Sequence, residues 1–595
     1  MSGLVAVLAV GRDRAVDDDE LRRLVACYEA VRGPSTVTVA RGGSSARAAR
    51  LEPADGAGAE WSTAADWPLV VGVPHAEDGA TPGSRPWLAS VDGQFALVSY
   101  DDATGEAVVA GDPLGMFGVY VAAGQGVLYV STSSLALARF LRAPADRLAL
   151  QSFLLSGYHF GSRSHWQGVD RLEPGQVVRV GPEGRSQEYY WRPQVDPAVQ
   201  RLTLGKAADH CIEASVGALS RLGGQPESWI DLTGGYDSRL LALLLRRAGV
   251  SFAANTRHTT DPAEIAIARR IVELTGWTWV HPQLPPDWDA VLPGELASSL
   301  AWGDGNLEVL QLSRVLWVHR QLARSRPALL SGGGGEHLQF AGWKSEFRAA
   351  GRSNRVNFDN FIDMRMIKPV NRSVLAGDPL PDVREDMRQR LARWIEPYSS
   401  ELNTTQLDLL YAYKVTGHFG AYRSADDGLL TAQLPYYFRP VFEAAFSTDY
   451  RHRNGHRLMR HMMKRLDPAL AALPTTRGGP AEPLRITNAH RYAPYFTQLA
   501  RKAVTKVSDR TLGRPLLLQR RSFPWASNAN RSVLDDLSSR DLFSPERLRS
   551  AGLYRPEALR ALLEASQRPG STQDAMLGRI ITVEMSLQMT DTSIA

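Results

Sequence analysis

Two adjacent glycines separate a short apolar run from a long amphipathic one in the stretch DLTGGYDSRLLALLLRRAG, from Asp231 to Gly249. The preceding SWI is typical of a buried strand, and the leucines that follow recur at helical spacing, at Leu240, Leu241, Leu244 and Leu245. The pattern therefore predicts a strand, a tight glycine turn and a helix. Such a turn directs unpaired backbone N–H groups and the positive end of the helix dipole at one point, which makes a binding site for phosphate.

A second glycine run, LLSGGGGEHL from Leu329 to Leu338, again follows a short apolar strand. Between the two runs, strand-like SFAAN and WTWV alternate with helix-like DPAEIAIARRIVELTG and LEVLQLSRVLWVHRQLA. This alternation predicts a doubly wound parallel sheet, which binds ligands at the carboxyl ends of its strands. One glycine turn could simply reverse the chain, but here each turn carries an acid, Asp237 and Glu336. A pair of carboxylates facing phosphates is the usual way to hold Mg²⁺.

The N-terminal region has a different pattern. GQFALVSYDDATGEAVVAGDP and GVYVAAGQGVLYVSTS alternate in polarity, are rich in β-branched and aromatic residues, and contain turn residues, so they predict antiparallel hairpins. The N-terminal GLVAVLAV predicts a buried strand. Residues 30–85, which are rich in Gly, Ala, Ser and Pro, predict loops and short strands.

A chain of 595 residues is too long for a single core, so two or more domains are expected. The change in pattern places a boundary near residue 198, which gives domains of residues 1–198 and 199–595. After about residue 350 the sequence predicts mainly helices and loops.

Composition argues against several classes of protein. The net charge is only +5 and the basic residues are spread along the chain, which gives little support for a nucleic-acid partner. Cys27 and Cys211 lie far apart, form no metal-ligand spacing and suit a reducing compartment. No run approaches the roughly 20 apolar residues needed to span a bilayer, and the apolar N-terminus lacks the basic start of a signal peptide. We therefore expect a cytoplasmic protein that binds neither nucleic acid nor membrane.

The two turns resemble those of a known superfamily. LTGGYDSRL resembles the Ser-Gly-Gly-x-Asp-Ser pyrophosphate loop of the N-type ATP pyrophosphatases, with Thr233 in place of the first serine, and LLSGGGGEHL is similar to the second loop of their asparagine synthetase branch. DGQFALVSYD, GDPLGMFGVYV and GHRLMRHMMKRLDPALAALPTTR resemble other segments of that branch, so the resemblance runs from about residue 85 to 480. It implies an α/β protein with an N-terminal glutaminase-like, Ntn-type antiparallel β-sandwich domain. A synthetase domain with a doubly wound parallel sheet and helical additions is expected to follow.

Departures from asparagine synthetase narrow the implied function. That enzyme has a nucleophilic cysteine directly after the initiator methionine, where this chain has Ser2, and nothing here resembles its Asn-Gly-Glu glutamine-binding segment. We expect that this domain lacks amidase activity. The alternative is that Ser2 replaces the cysteine as the nucleophile. Gly333 stands where β-lactam and carbapenam synthetases carry a tyrosine and asparagine synthetase a glutamate, so the site is open to a large acceptor. Together these features most resemble a lasso-peptide macrocyclase.

The resemblance implies a reaction in two steps that uses ATP and Mg²⁺. An Asp or Glu side-chain carboxylate of a core peptide is first adenylated, and the N-terminal amine of the same peptide then displaces AMP to form an isopeptide bond. The implied partners are the precursor peptide, a leader-binding protein and a leader peptidase. Two alternatives remain open, a small-molecule amide or lactam ligase and an inactive binding scaffold.

The resemblance also assigns roles to residues. Asp237 and Glu336 would bind Mg²⁺, and Glu336, His337 and Arg477 are the candidate catalytic residues. His337 could act as a general base or simply pack or cap, and Arg477 lies near the position of a lysine that stabilises the transition state in the synthetases. Nucleotide-binding residues are expected in both turns, at Leu232, Thr233, Gly234, Gly235, Asp237, Ser238, Ser331, Gly332, Gly333 and Gly334.

Five other features of the sequence are further candidates for the site. Lys464 is either a weaker candidate for the cation or a solvated helix residue. Asp304 could line the binding pocket at the two glycine turns. Asp261 could be functional or could be the N-terminal cap of its helix. The aromatic residues Tyr436–Phe438 could grip a peptide or fill the core. The basic stretch Arg501–Ser522 could bind an acidic partner or form a solvated face.

Overall fold

The computed structural model describes residues 3–54, 61–62, 66–76, 79–225, 227–257, 261–339, 352–368, 370–512, 529–540, 547–568 and 574–594. Two largely antiparallel sheets form the N-terminal part, and a parallel sheet flanked by helices follows. This is the mixed α/β architecture predicted from the sequence. The strands of the two parts fall on either side of residues 198 and 199, and a domain boundary at this point stays a prediction.

The alternating N-terminal segments form the strands of two sheets. The strand order is β10-β8-β9-β1-β3-β2-β4 in the first sheet and β12-β11-β7-β6-β5 in the second, and the pairs are antiparallel except for β2 with β4. The bounds are β1 (Gly3–Ala9), β2 (Ser35–Gly42), β3 (Ala46–Pro53), β4 (Trp61–Ser62), β5 (Leu69–His75), β6 (Asp92–Asp101), β7 (Glu106–Gly111), β8 (Tyr120–Gly124), β9 (Val127–Ser131), β10 (Val169–Arg171), β11 (Gln176–Gly181) and β12 (Gly184–Tyr189).

These two sheets pack face to face. Because successive side chains of a strand point to opposite faces, Leu4 and Leu8 of β1 lie in the cluster between the sheets, with Val98 and Val109, while Val5 faces the helices outside. The predicted hairpins, β6 with β7 and β8 with β9, are confirmed. Residues 30–85 contain longer strands than expected, since β2 and β3 have eight residues each. The alternation in STVTVARG outweighs the high content of small residues there.

The third sheet is parallel throughout, as predicted. Its order is β15-β14-β13-β16-β17, with bounds β13 (Ser228–Asp231), β14 (Phe252–Asn255), β15 (Trp279–Val280), β16 (Ala328–Leu330) and β17 (Thr431–Gln433). Strands β13 and β16 are neighbours, so both glycine turns leave the same edge of the sheet side by side. Strand β17 lies in the region predicted as helix and loop, and three residues are too few to show a period of two.

Helices make up most of the remaining regular structure. Their bounds are α1 (Asp18–Arg32), α2 (Arg85–Ser90), α3 (Ser134–Leu141), α4 (Arg147–Ser156), α5 (Pro197–Gln200), α6 (Leu204–Ser220), α7 (Asp237–Arg247), α8 (Pro262–Thr275), α9 (Trp288–Gly303), α10 (Val309–Ala323), α11 (Phe358–Phe361), α12 (Leu380–Ile395), α13 (Asn403–Asp426), α14 (Arg439–Ser447), α15 (Tyr450–Arg453), α16 (Arg457–Leu466), α17 (Pro468–Ala471), α18 (Ala493–Leu512), α19 (Ala529–Ser539), α20 (Pro556–Ser566) and α21 (Asp574–Thr590). Within the described ranges, none of them combines the length and the apolar character required to cross a membrane.

Helices cover both faces of the parallel sheet. The leucines of α7 pack with Ile230 and Leu330 on one face, whereas Val318 and Leu322 of α10 pack with Trp229 and other residues on the opposite face. A sheet covered on both faces is typical of the doubly wound class. The strand termini that carry the glycine turns emerge between these two helical layers.

Helix α13 joins the parallel sheet to the N-terminal sandwich. A Cβ on Gly417 would lie only 1.9 Å from the carbonyl oxygen of His159, so the backbone of α13 contacts the N-terminal part directly at this glycine. Tyr413 donates a hydrogen bond to Glu173 Oε1 (2.6 Å), and the guanidinium of Arg423 lies over the ring of Phe117. The C-terminal turns of the same helix reach the edge of the parallel sheet.

Candidate functional site

The first glycine turn is held by its own hydroxyl groups. The Thr233 N–H donates to Ser238 Oγ (2.9 Å), and Thr233 Oγ1 accepts from the Gly235 N–H (3.2 Å) and lies 2.9 Å from Ser238 Oγ. Thr233 thus supplies the hydroxyl expected of a serine at this position. Helix α7 begins at Asp237, so its N-terminus faces the turn. The arrangement suits an anion.

The second turn lies directly against the first. A Cβ on Gly332 would come within 3.0 Å of the Ser238 Cα, so the two backbones approach each other at this glycine. Gly334 has a φ of 95° and faces the ring of Tyr437, which leaves no room for a side chain. A short 3-10 helix, Gly335–Leu338, follows the turn.

The acid of the first turn, Asp237, lies against the second turn, within electrostatic reach of Glu336. A Cβ on Gly335 would lie 2.4 Å from Asp237 Oδ1, so the Asp237 carboxylate contacts the second turn, and it accepts a hydrogen bond from Gln339 Nε2 (2.8 Å). Burial and the nearby charge of Glu336 raise the pKa of Asp237 to about 7, and Arg477 opposes this rise. Glu336 Oε2 is buried without a hydrogen-bond partner among the described residues.

This pair of carboxylates fits a magnesium ion shared with a nucleotide. No cluster of three or more His, Cys, Asp or Glu residues suited to a metal occurs within the described ranges. Mg²⁺ at phosphate sites needs only one or two carboxylates, because phosphate oxygens and waters complete its shell. The burial that raises the pKa of Asp237 and the unpaired Glu336 oxygen both favour a bound cation, which would stabilise the two negative charges.

Arg477 lies in a loop that folds over the first turn. The Thr476 N–H donates to the Gly234 carbonyl (3.0 Å), and the Arg239 guanidinium donates to the carbonyls of Leu473 (3.1 Å) and Pro474 (2.8 Å). These contacts explain why the exposed Arg477 acts electrostatically on Asp237. The loop therefore brings the candidate cation to the site.

His337 is buried in the core rather than open to a ligand. Its ring packs edge to face on Tyr437 and Phe442, and its carbonyl accepts a hydrogen bond from Arg453 Nη1 (2.9 Å). Burial and the Arg453 charge lower the pKa of His337 to about 3. Of the two interpretations from the sequence, packing is the one that these contacts favour over a general base.

A cavity of about 410 Å³ opens beside the turns. Six residues expected at the nucleotide line it, namely Thr233, Asp237, Ser238, Ser331, Gly332 and Gly333. Leu232, Gly234, Gly235 and Gly334 are not among its lining residues, and Leu232 is buried with its N–H bonded to the Asn255 carbonyl (2.7 Å). These four residues shape the turns rather than the cavity wall.

The opposite wall of the cavity comes from residues that the sequence analysis did not identify. They include Asp231, Arg257 and His319, and, from α13, His418, Phe419, Tyr422, Arg423 and Asp426. His319 Nδ1 lies 2.5 Å from Asp426 Oδ1, and its Nε2 lies 3.2 Å from Arg257 Nη1. Arg257 also pairs with Asp231 (2.9 Å). A histidine within an amphipathic helix gives no sequence signal that separates such a role from core packing.

The other candidates from the sequence lie in structural positions. Asp261 caps α8 by accepting from the Ala263 N–H, and Lys464 pairs with Glu482 (3.1 Å). Asp304 is away from the turns, where it accepts a hydrogen bond from Ser133 Oγ (2.6 Å). The aromatic residues 436–438 are buried, which favours the core interpretation. Ser2 and residues 513–522 of the basic stretch lie outside the described residues, whereas residues 501–512 belong to α18.

Comparison with protein families finds a match to the glutamine amidotransferase domain over residues 57–191. The N-terminal part therefore contains a glutamine amidotransferase-like domain, in agreement with the resemblance seen in the sequence. No curated protein matches the chain.

Solved structures give weaker likenesses. One is a glutamine phosphoribosylpyrophosphate amidotransferase from B. subtilis complexed with ADP and GMP, with 10% identity, a TM-score of 0.21 and coverage of 42% of this chain and 65% of that one. Another is described as an allosteric regulatory enzyme of purine biosynthesis, with 10% identity, a TM-score of 0.22 and coverage of 42% and 64%. The alignments span less than two thirds of either relative, and at such scores neither bears on the function of this chain.

Proposed function

We propose that the protein is an ATP-dependent, AMP-forming carbon–nitrogen ligase that closes a peptide into a ring. The observation that carries the proposal is the convergence of two glycine turns at neighbouring strand ends, with the Asp237 carboxylate against Gly335 and close to Glu336. Open α/β sheets bind ligands at this position. Paired acids beside backbone N–H groups at a helix N-terminus suit a magnesium nucleotide.

In the first half-reaction, a carboxylate oxygen of the peptide attacks the α-phosphorus of ATP and pyrophosphate leaves. Thr233, Ser238 and the N–H groups of the first turn would bind the departing pyrophosphate. Asp237 and Glu336 would hold Mg²⁺, which when bound neutralises phosphate charge. Arg477 would add a second positive charge at the same place. Stabilisation of charge by such preorganised groups is commonly worth several kcal/mol.

In the second half-reaction, the N-terminal amine of the peptide attacks the acyl carbon. A carbon–nitrogen bond forms, the bond from that carbon to the AMP oxygen breaks, and the amine loses a proton. Gly333 supports a bulky substrate, because it lines the cavity and has no side chain to fill it. Holding both peptide ends together lowers the entropic cost of ring closure. Well-oriented intramolecular reactions reach effective molarities of about 10⁵ M or more.

We further propose that the substrate is the core of a precursor peptide, and that a leader-binding protein and a leader peptidase act with the enzyme. A small-molecule amide or lactam ligase is the second candidate. The cavity volume of about 410 Å³ supports it, because that space falls within the range of ordinary small-ligand pockets. The intact pair of Asp237 and Glu336 argues against an inactive scaffold.

Incubation with ATP, Mg²⁺ and a candidate core peptide tests the proposal. We expect release of AMP and pyrophosphate, and a peptide product lighter by one water in mass spectrometry. AMP release only with an amino-acid-sized acceptor would favour the small-molecule ligase. No nucleotide turnover with any acceptor would contradict both and leave the scaffold.

A further inference from the structure

Two residues that line the cavity each have a buried polar atom that lacks a partner among the described residues. Asp231 is 6% exposed, and its Oδ2 forms an ion pair with Arg257 Nη2 (2.9 Å) and accepts a hydrogen bond from Ser331 Oγ (3.3 Å). Its other oxygen, Oδ1, is buried and accepts no hydrogen bond from the part of the chain that the structure describes. The same is true of His418 Nδ1, on the α13 wall. An unpaired buried polar atom costs about 1–3 kcal/mol, so a ligand that donates to both atoms would be favoured.

The surroundings of these two atoms suit an amine. Burial and the charges of two nearby lysines, Lys414 and Lys368, lower the pKa of His418 to about 4, so its ring is neutral at pH 7 and offers one nitrogen as an acceptor. Phe419 and Tyr422 add aromatic surface to the cavity, and aromatic faces accept N–H groups. Because the two lysines disfavour an added positive charge, the site suits an amine in its neutral, nucleophilic form.

One buried donor in the same cavity defines the ligand further. Arg423 donates through Nε to the Ala432 carbonyl (3.1 Å) and through Nη1 to Asp427 (2.8 Å), while its buried Nη2 has no partner within the described ranges. A ligand that combines an amine with a carbonyl oxygen would satisfy all three atoms. The N-terminal residue of a peptide has this combination.

We propose that the cavity binds the N-terminal residue of the substrate peptide. Its amine donates to Asp231 Oδ1 and His418 Nδ1, and its carbonyl accepts from Arg423 Nη2. The amine is then held beside Gly332 and Gly333 of the second turn, where the acyl adenylate would form. This assignment rests on the proposed ligase function and specifies where its nucleophile binds.

Binding of glycinamide to the full chain tests the assignment, because glycinamide carries the amine and the carbonyl of an N-terminal residue. Titration followed by NMR is expected to show binding, and N-acetylglycinamide, which lacks the amine, should bind at least about tenfold more weakly. Asp231→Asn and His418→Phe should each weaken glycinamide binding about tenfold. His418→Gln, which keeps an acceptor, should retain more affinity than His418→Phe.

Glu227→Gln is the matched control for the loss of a carboxylate near β13. Glu227 is exposed and pairs with Arg326, so its loss should leave glycinamide binding unchanged. Three results would overturn the assignment. They are equal binding of glycinamide and N-acetylglycinamide, no binding of glycinamide to the wild type, and wild-type affinity in both Asp231→Asn and His418→Phe. If glycinamide binds normally but no carboxylate supports exchange of pyrophosphate into ATP, the ligase function is refuted and the amine site remains.

Discussion

Replacement of Asp237 by asparagine is expected to lower the rate of adenylation by about 100-fold or more. The carboxylate lies where the two turns meet, and asparagine keeps its shape without the charge that Mg²⁺ requires. Exchange of labelled pyrophosphate into ATP measures this step alone. Asp209→Asn is a suitable control, because Asp209 is an exposed partner of Arg465 and should retain wild-type exchange. Exchange at the wild-type rate in Asp237→Asn would show that Asp237 is not a metal ligand.

The same variant should be more stable than the wild type when Mg²⁺ is absent. Burial, the larger cause, and Glu336 raise the pKa of Asp237 to about 7, against the opposing effects of Arg477 and Gln339. The folded chain therefore binds more protons than the unfolded chain between about pH 4 and pH 7, and wild-type stability falls as the pH rises through this window. At pH 8 the uncharged asparagine should stabilise the fold by a few kcal/mol at most. Urea denaturation at pH 5 and pH 8 measures the difference.

Gly335→Ala is expected to reduce adenylation by about 100-fold, because displacement of a reacting group by about 1 Å has an effect of that size. The added Cβ would lie 2.4 Å from Asp237 Oδ1 and 2.7 Å from its Cγ, so the carboxylate must move. Gly217→Ala in α6 is the control, because a Cβ there would have no neighbour within 4 Å and Gly217 is exposed outside the cavity. Steady-state rates of AMP release compare the two variants. A similar loss in both would mean that displacement of Asp237 is not the cause.

The parallel sheet and both turns could be predicted from the sequence because their signals are local. A strand, a pair of glycines and a leucine pattern lie within about twenty residues of one another at Asp231–Gly249, and the second turn repeats the order. The meeting of Asp237 with the second turn also follows, since carboxyl ends of parallel strands share an edge. The N-terminal hairpins are equally local and are confirmed.

The wall of the cavity opposite the turns could not be predicted, because it is assembled from distant segments. Asp231, His319 and His418 come from a strand end and two helices, and each alone is typical of a buried residue in a regular element. His337 shows the opposite problem. Its position next to Glu336 suggests chemistry, but the aromatic rings around it, which decide its role, come from residues about a hundred positions later in the chain.

Helix α13 places a limit on how this chain can change during evolution. Its glycine at position 417 is pressed against the N-terminal sandwich, while the neighbouring His418 and Phe419 face the cavity. Deletion of the sandwich would therefore remove the support of one wall of the cavity, even if the sandwich performed no reaction. Selection can retain a domain because it supports a neighbouring helix, even where its own reaction is no longer needed. A shortened chain would then need another segment to support α13.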